Sequence, residues 1–230
     1  MNFQIPDTIP RAALVTGGEQ PAGRAIAAAL AKAGFAVALQ ARRGVDFPGL
    51  VLTADLTDET EVAALPARAA AAIGPLGLLV NAARVVPGDI RTPSPGDAPR
   101  GIQGDIHGDT CWTETTAGWN AHMAIHLRAP FLLIQQFAKR LPAGREGVAI
   151  NLLDRDIHAL APARVSYSLS MAGLWNLTQT LALALAPNIR VNGISGGEPG
   201  ELARAAIAIL AFRSMTGQMI RSDGMPPPDA

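Results

Sequence analysis

The chain has little of several residues and patterns on which common functions rest. Cysteine occurs once, at Cys111, so no disulfide can close within the chain and a reducing compartment suits it. Lysine occurs only at Lys32 and Lys139, and every other basic residue is arginine. Neither sign of charge is in excess. Lysine plus arginine and aspartate plus glutamate number 19 each, which removes the electrostatic case for a nucleic acid or an anionic membrane. No long hydrophobic run is present. Apolar runs such as residues 181–186 are far too short to span a bilayer, so no membrane insertion is expected. Residues 1–10 lack a basic stretch followed by an apolar one, so they do not read as a secretory signal. These absences point to a soluble, cytoplasmic protein.

What the chain has is apolar content, 49% of 230 residues, enough for one α/β domain with a large core. Strand-like and helix-like patterns alternate, as in βαβ units around a parallel sheet. Strands are expected over 12–16, 36–40, 50–53, 78–81, 148–153, 189–194 and 218–220. Helices are expected over 22–33, 58–73 with Asp58 as cap, 165–186 and 201–212, with one long helix over 119–141 kinked near Pro130. Residues 84–118 break the rhythm. This long loop carries Pro87, Pro93, Pro95 and Pro99, and loops of that length usually serve a function or stay disordered. The tail, 225–230, reads as extended. A single domain spanning 1–230 is expected, without internal repeats.

The candidate functional residues fall at strand ends. Thr16-Gly17-Gly18-Glu19-Gln20-Pro21-Ala22-Gly23 closes the first strand and opens the first helix. Glycines there let backbone N–H groups approach a pyrophosphate at a helix N-terminus. Arg42 and Arg43 follow the second strand, where arginine pairs with a ribose 2′-phosphate or is simply solvated. Asp55-Leu56 follows the third strand, where Asp55 can cap the next turn. Asn81-Ala82-Ala83-Arg84 follows the fourth, Asn151-Leu152-Leu153-Asp154 the fifth, and Tyr167-Ser168-Leu169-Ser170-Met171 opens the long helix at 165–186.

From residue 12 to about 224 this order of motifs resembles the short-chain dehydrogenase/reductase family, and within it the pteridine and dihydromonapterin reductases. The segments 172–187, 189–194 and 215–218 are also family-like. The resemblance implies a Rossmann-type doubly wound parallel sheet in a three-layer αβα arrangement. It implies NADP(H) as cofactor, contacted at Thr16, Gly17, Gly23, Arg42, Arg43, Asp55, Leu56, Asn81 and Ile194. A pterin-like small molecule is the implied substrate, with Asp154 and Tyr167 as the catalytic pair 13 residues apart. His126 falls where the family has a proton-relay asparagine; it either relays protons or is a partly buried helix histidine.

Four departures stand against activity. Pro21 replaces the middle glycine of the phosphate turn and removes one N–H donor. Ala82 and Arg84 replace family residues beside the cofactor, and Arg84 either pairs with a phosphate or obstructs the site. Met171 replaces the lysine of Tyr-x-x-x-Lys, whose ammonium holds the ribose and lowers the tyrosine pKa. After Ile194 the family's substrate lid is missing, because Ser195-Gly196-Gly197-Glu198 runs almost directly into a helix. Neither lysine is placed to compensate: Lys139 lies roughly 20 Å beyond His126 at ~1.5 Å per residue. Arg164 and Arg84 remain as candidate cations.

Asp105, His107, Asp109 and Cys111 alternate in the long loop, but a polar loop describes them better than a metal site, and no metal is expected. Together these features favour a reductase-derived protein with weakened or lost catalysis, serving as an interaction or structural subunit. The alternative is an NADPH-dependent reductase with a rearranged site. A partner or second copy would pack on the long helices, where Leu174, Trp175, Leu177, Leu181 and Leu185 extend an apolar face or are buried against the sheet.

Overall fold

The computed structural model describes residues 5–85, 111–154, 157, 162 and 164–222. Most of the proline-rich loop, including Asp105, His107 and Asp109, and the whole tail 225–230 lie outside these residues.

Seven parallel strands form one sheet in the order β3-β2-β1-β4-β5-β6-β7. They are β1 (Ala12–Val15), β2 (Ala36–Ala41), β3 (Leu50–Thr53), β4 (Leu78–Asn81), β5 (Gly147–Leu153), β6 (Ile189–Ser195) and β7 (Met219–Arg221). The helices are α1 (Pro21–Lys32), α2 (Glu59–Ile73), α3 (Thr116–Met123), α4 (Ala129–Ala138), α5 (Val165–Leu185) and α6 (Pro199–Ala211). Strand alternation divides the core. Ala13, Val15, Leu39, Val80 and Ile150 face α1 and α6, where Ile26, Leu30, Ala206 and Ile209 meet them. Ala12, Leu14, Ala38, Leu79 and Ala149 face α2, α4 and α5 through Leu65, Leu133, Phe137 and Ala182. The result is the expected three-layer αβα arrangement. Strand order reverses between β1 and β4, so a crevice opens at their carboxyl ends.

The expected helix starts were late wherever proline leads. Pro21 and Pro199 sit inside the first turns of α1 and α6 rather than before them, because a first-turn N–H needs no partner. Asp58 caps α2 as expected, accepting from the N–H groups of Thr60 and Glu61 at 2.7 and 3.1 Å. The single kinked helix expected over 119–141 is a run of three pieces that starts and ends three residues earlier. Between α3 and α4 lies a π-helical turn, Ala124–Arg128, where the Ala129 N–H reaches back five residues to the Ala124 carbonyl. Pro130 has no N–H to continue an α ladder, and the wider turn takes up the irregularity.

β6 and α6 are separated only by Gly196, Gly197 and Glu198, both glycines at positive φ. The chain therefore turns sharply into α6 with no lid segment between. At the opposite end of β6, buried Arg190 donates to the carbonyls of Ile209, Leu210, Phe212 and Met215. One cation thereby satisfies the carbonyl end of α6 and the loop beyond it.

Candidate active site

The turn after β1 is shaped by glycine at two positions. A Cβ on Gly17, whose φ is +83°, would lie 2.7 Å from the Ala83 backbone; one on Gly23 would lie 2.3 Å from the Gly17 carbonyl oxygen. Both contacts are with backbone, which cannot swing aside. Thr16 Oγ1 accepts from the N–H groups of Ala82 and Ala83 at 3.1 and 3.2 Å, tying the turn to the end of β4. Gln40 completes the brace, accepting from Gly17 N–H and donating to the Ala54 carbonyl. Beside this turn is a cleft of about 390 Å³ lined by Gly17, Glu19, Gln20, Arg42, Asp55, Leu56 and Arg84 among others.

Arg84 dominates the geometry. Its Nη1 donates to the Tyr167 hydroxyl at 2.5 Å and stands 3.6 Å from Asp154 Oδ2, while Nη2 donates to the Leu153 carbonyl at 2.8 Å. The Tyr167 hydroxyl in turn donates to Asp154 Oδ2. Arg84 is held from behind. Gln20 Nε2 donates to its carbonyl at 2.8 Å, and Gln20 Oε1 accepts its N–H at 3.1 Å. Of the alternatives posed for Arg84, pairing with phosphate, obstruction or standing in as a cation for the lysine, the contact matches the last: the guanidinium sits on the tyrosine hydroxyl. Met171, at the lost lysine's position, is 1% exposed and packs as an apolar residue. Arg164, the other candidate cation, lies over the Tyr167 ring at 5.0 Å rather than at its hydroxyl.

Burial raises the Tyr167 pKa to about 12; Arg84 pulls it down, the hydrogen bond and charge of Asp154 push it up, and Arg164 lowers it. The hydroxyl is thus firmly protonated. A second cleft, about 630 Å³, lies beyond Arg84 and is lined by Leu153, Asp154, Gly196, Gly197 and Leu202. Arg84 lines both clefts.

His126 is fully buried, and both its ring nitrogens are engaged. Nε2 accepts the Val85 N–H at 3.1 Å, which places the proton on Nδ1 and makes it the donor to Ser170 Oγ at 2.9 Å. Ser170 Oγ donates onward to the Tyr167 carbonyl at 2.8 Å. His126 thereby connects the β4 loop to the helix that carries Tyr167. Burial first, then His122 and Arg84, depress its pKa to about 3. The unfolded chain binds this proton below about pH 6.5 and the folded chain does not. Its stabilising contribution is therefore complete above pH 6.5 and declines as pH falls toward 3, by up to about 1.4 kcal/mol per pH unit. Urea unfolding at pH 7 and pH 5 should show a smaller loss in His126→Gln than in the unaltered chain. Equal losses would count against this assignment.

The other residues singled out from sequence have these surroundings. Asn81 is buried and donates to Asn151 Oδ1 at 2.8 Å, and Asn151 donates to Thr178 Oγ1 at 2.8 Å. These side chains join β4, β5 and α5 inside the core. Ile194 is fully buried between the sheet and the α1–α6 layer. Asp55 caps its own turn through Thr57 N–H and Oγ1, both at 2.8 Å, and also lines the first cleft with Leu56. Arg43 is exposed, and Arg42 lines the cleft. Motif matching missed Glu19, Gln20, Gln40 and Ser170. Their partners lie 23, 64, 14 and 44 residues away, so no local pattern announces them.

Among the described residues no group of three or more metal-ligating side chains converges, and no helix is long and apolar enough to cross a membrane. Of the expected partner face, Leu174 is buried within the chain and Leu181 and Leu185 pack partly buried against the core; Leu183, outside that set, stands 84% exposed. An apolar groove between the helices is lined by Met123, Leu127, Phe131, Gly173 and Leu177.

Three proteins are similar over different lengths. FolM alternative dihydrofolate reductase 1 of Brucella canis, solved with NADP, is 32% identical, with a TM-score of 0.80 over 97% of this chain and 99% of that one. A cis-4-hydroxycyclohexanecarboxylate dehydrogenase of Sinomonas cyclohexanicum is 28% identical over 93% of this chain and 85% of its own. A dihydromonapterin reductase of Enterobacter is 29% identical over 42% of this chain and 43% of its own. Residues 11–200 match the family model for short chain dehydrogenases. With that match, the parallel sheet and the Tyr167–Asp154 pair at its carboxyl edge, the chain belongs to the short-chain dehydrogenase/reductase family.

Proposed function

We propose that the chain is an NADP(H)-dependent reductase of a pterin-like or carbonyl small molecule in which Arg84 takes over the lysine's electrostatic task at Tyr167. The observation that carries this reading is the 2.5 Å hydrogen bond from Arg84 Nη1 to the Tyr167 hydroxyl. It reverses the ranking drawn from sequence, where Met171 put a non-catalytic role first. A cation at the hydroxyl is retained; it has moved from α5 to the loop after β4.

The residues present fit a dinucleotide. Gly17 and Gly23 keep the turn free of Cβ atoms, and the N–H groups of Arg42 and Arg43 converge on an anionic oxygen. Bound NADPH supplies the hydride. Gly17, Arg42, Arg43, Asp55 and Leu56 hold its adenosine side, where the first cleft lies. Tyr167 holds the proton that the reduced oxygen or nitrogen takes up. A hydroxyl with its pKa near 12 donates to a strongly basic atom but does not withdraw a proton from an alcohol near neutral pH, so the reductive direction is favoured. Arg84 stabilises the tyrosinate left behind, and Asp154 orients the hydroxyl and the polar edge of the substrate. His126 positions rather than reacts.

A second reading remains supported by one observation. Gln20 on the Arg84 backbone and Glu19 on the loop after β2 place the chain's own groups across the cofactor cleft. A protein so closed would serve as a weakened or non-catalytic subunit, with a partner or second copy on the groove beside Phe131 and Leu177. Calorimetric titration with NADPH and NADH separates the two. Micromolar binding with NADPH oxidation in the presence of a dihydropterin or quinonoid pterin supports the reductase. Absence of binding by either nucleotide sinks it, and then a monodisperse monomer would sink the subunit reading as well.

A further inference from the structure

The loop after β2 offers two backbone donors to one acceptor, and the acceptor is already part of the chain. Glu19 Oε1 accepts the N–H of Arg42 and, at 3.1 Å, the N–H of Arg43. Glu19 comes from the turn after β1, 23 residues earlier, and it lines the first cleft together with Arg42. The turn that presents it is stiffened from both sides. Gly18 N–H donates to the Gln40 carbonyl at 2.8 Å, and Arg24 Nη1 donates to the Gly18 carbonyl at 2.7 Å. The carboxylate is therefore delivered by a braced backbone rather than by a loose loop.

Two adjacent N–H groups aimed at a single oxygen are what a phosphate oxygen would use, and the neighbouring guanidinium groups of Arg42 and Arg43 favour the same ligand. A carboxylate seated there competes with it twice. It occupies the donors, and its negative charge opposes a dianion arriving within a few ångströms. We propose that Glu19 is a built-in competitor for the ribose 2′-phosphate, so that this pocket binds a 2′-phosphorylated adenosine only by displacing a side chain of its own. The proposal rests on the reductase reading in taking this cleft as the adenosine site. It adds the residue that sets how strongly the phosphate is recognised.

Glu19→Gln is the informative change. The amide oxygen still accepts both N–H groups, so the loop keeps its partner while the charge disappears. The probes are 2′,5′-ADP and 5′-ADP, titrated calorimetrically into the unaltered chain and the variant. Expected is a gain of roughly tenfold or more in affinity for 2′,5′-ADP, against little change for 5′-ADP. The gain should shrink at high salt, because it is electrostatic. Glu19→Ala repeats the test without any acceptor if the amide distorts the turn. Equal changes for both probes, or no change, overturn the proposal. So does failure of the variant to bind 2′,5′-ADP at all. If that failure accompanies NADPH oxidation by the unaltered chain, the reductase reading survives and only the role of Glu19 falls.

Discussion

Arg84→Met is expected to lower the reductase kcat by about a hundredfold or more, the scale seen when one charged or hydrogen-bonding stabiliser of a developing anion is removed. The guanidinium makes the only cationic hydrogen bond to the Tyr167 hydroxyl among the described residues. Burial and Asp154 already push that hydroxyl's pKa up, and Arg84 is the largest influence in the other direction. Without it the tyrosinate formed on proton donation is left beside a carboxylate. Met171→Lys alone should restore little, because its ammonium would share one oxygen with Arg84 and repel it. The double variant, Arg84→Met with Met171→Lys, should recover most of the rate by returning the cation to α5 four residues from Tyr167.

The chain allows a check that does not depend on turnover. Tyr167 is its one tyrosine, so ultraviolet titration reports this hydroxyl alone. The unaltered protein should show almost no tyrosinate at about pH 10, where a free tyrosine is half ionised. Arg84→Met should delay ionisation further. A kcat unchanged by Arg84→Met, or an earlier ionisation in that variant, would remove the guanidinium from its assigned task.

The second large effect is on stability. Arg190→Met should cost about 3 kcal/mol, because it removes the guanidinium donor from the buried Ile209 and Leu210 carbonyls and one of two donors from the carbonyls of Phe212 and Met215. For a chain of this size that corresponds to a fall in Tm of roughly 10 °C. Burial lowers the Arg190 pKa, with Glu146 raising it and Arg213 lowering it again, yet its carbonyl partners hold the charged form in place. Arg213→Ala is the internal comparison. It breaks an ion pair to Glu146 in which Arg213 is largely exposed, and such pairs contribute about 0.5 kcal/mol. Similar losses from the two variants would mean that capping of α6 does not set the effect.

Much of the architecture was legible because it is written in local periods. Alternation along β1 and β2 places Val15 and Leu39 on one face and Leu14 and Ala38 on the other, and seven such strands were placed to within a few residues. Asp58 announced its helix through side-chain chemistry. Helix starts slipped at Pro21 and Pro199, where proline reads as a breaker but acts as a first-turn residue. The π turn before Ala129 had no sequence signal beyond Pro130.

The candidate site was half legible. Tyr167 and Asp154 were paired by resemblance, and the structure brings their oxygens into contact. Asn81 and Ile194, matched to cofactor positions by resemblance, have their side chains buried in the core. Arg84 and Met171 were each recognised as departures, and Arg84 was named with Arg164 as a candidate cation without anything in the sequence to choose between them. Folding makes them one rearrangement, since Arg84 arrives from 83 residues away at the hydroxyl that Met171 cannot reach.

By itself, then, the sequence determined the layer order and the strand-end position of the site through periodicity and turn residues, while the Tyr167–Asp154 pair and the family came from resemblance. Only the tertiary structure put Arg84 on the Tyr167 hydroxyl, His126 between the Val85 N–H and Ser170, and Glu19 on the Arg42–Arg43 donors. Those contacts join strand ends and loops that the sheet brings together across its topological switch, and distances of that kind are set by packing rather than by position in the chain.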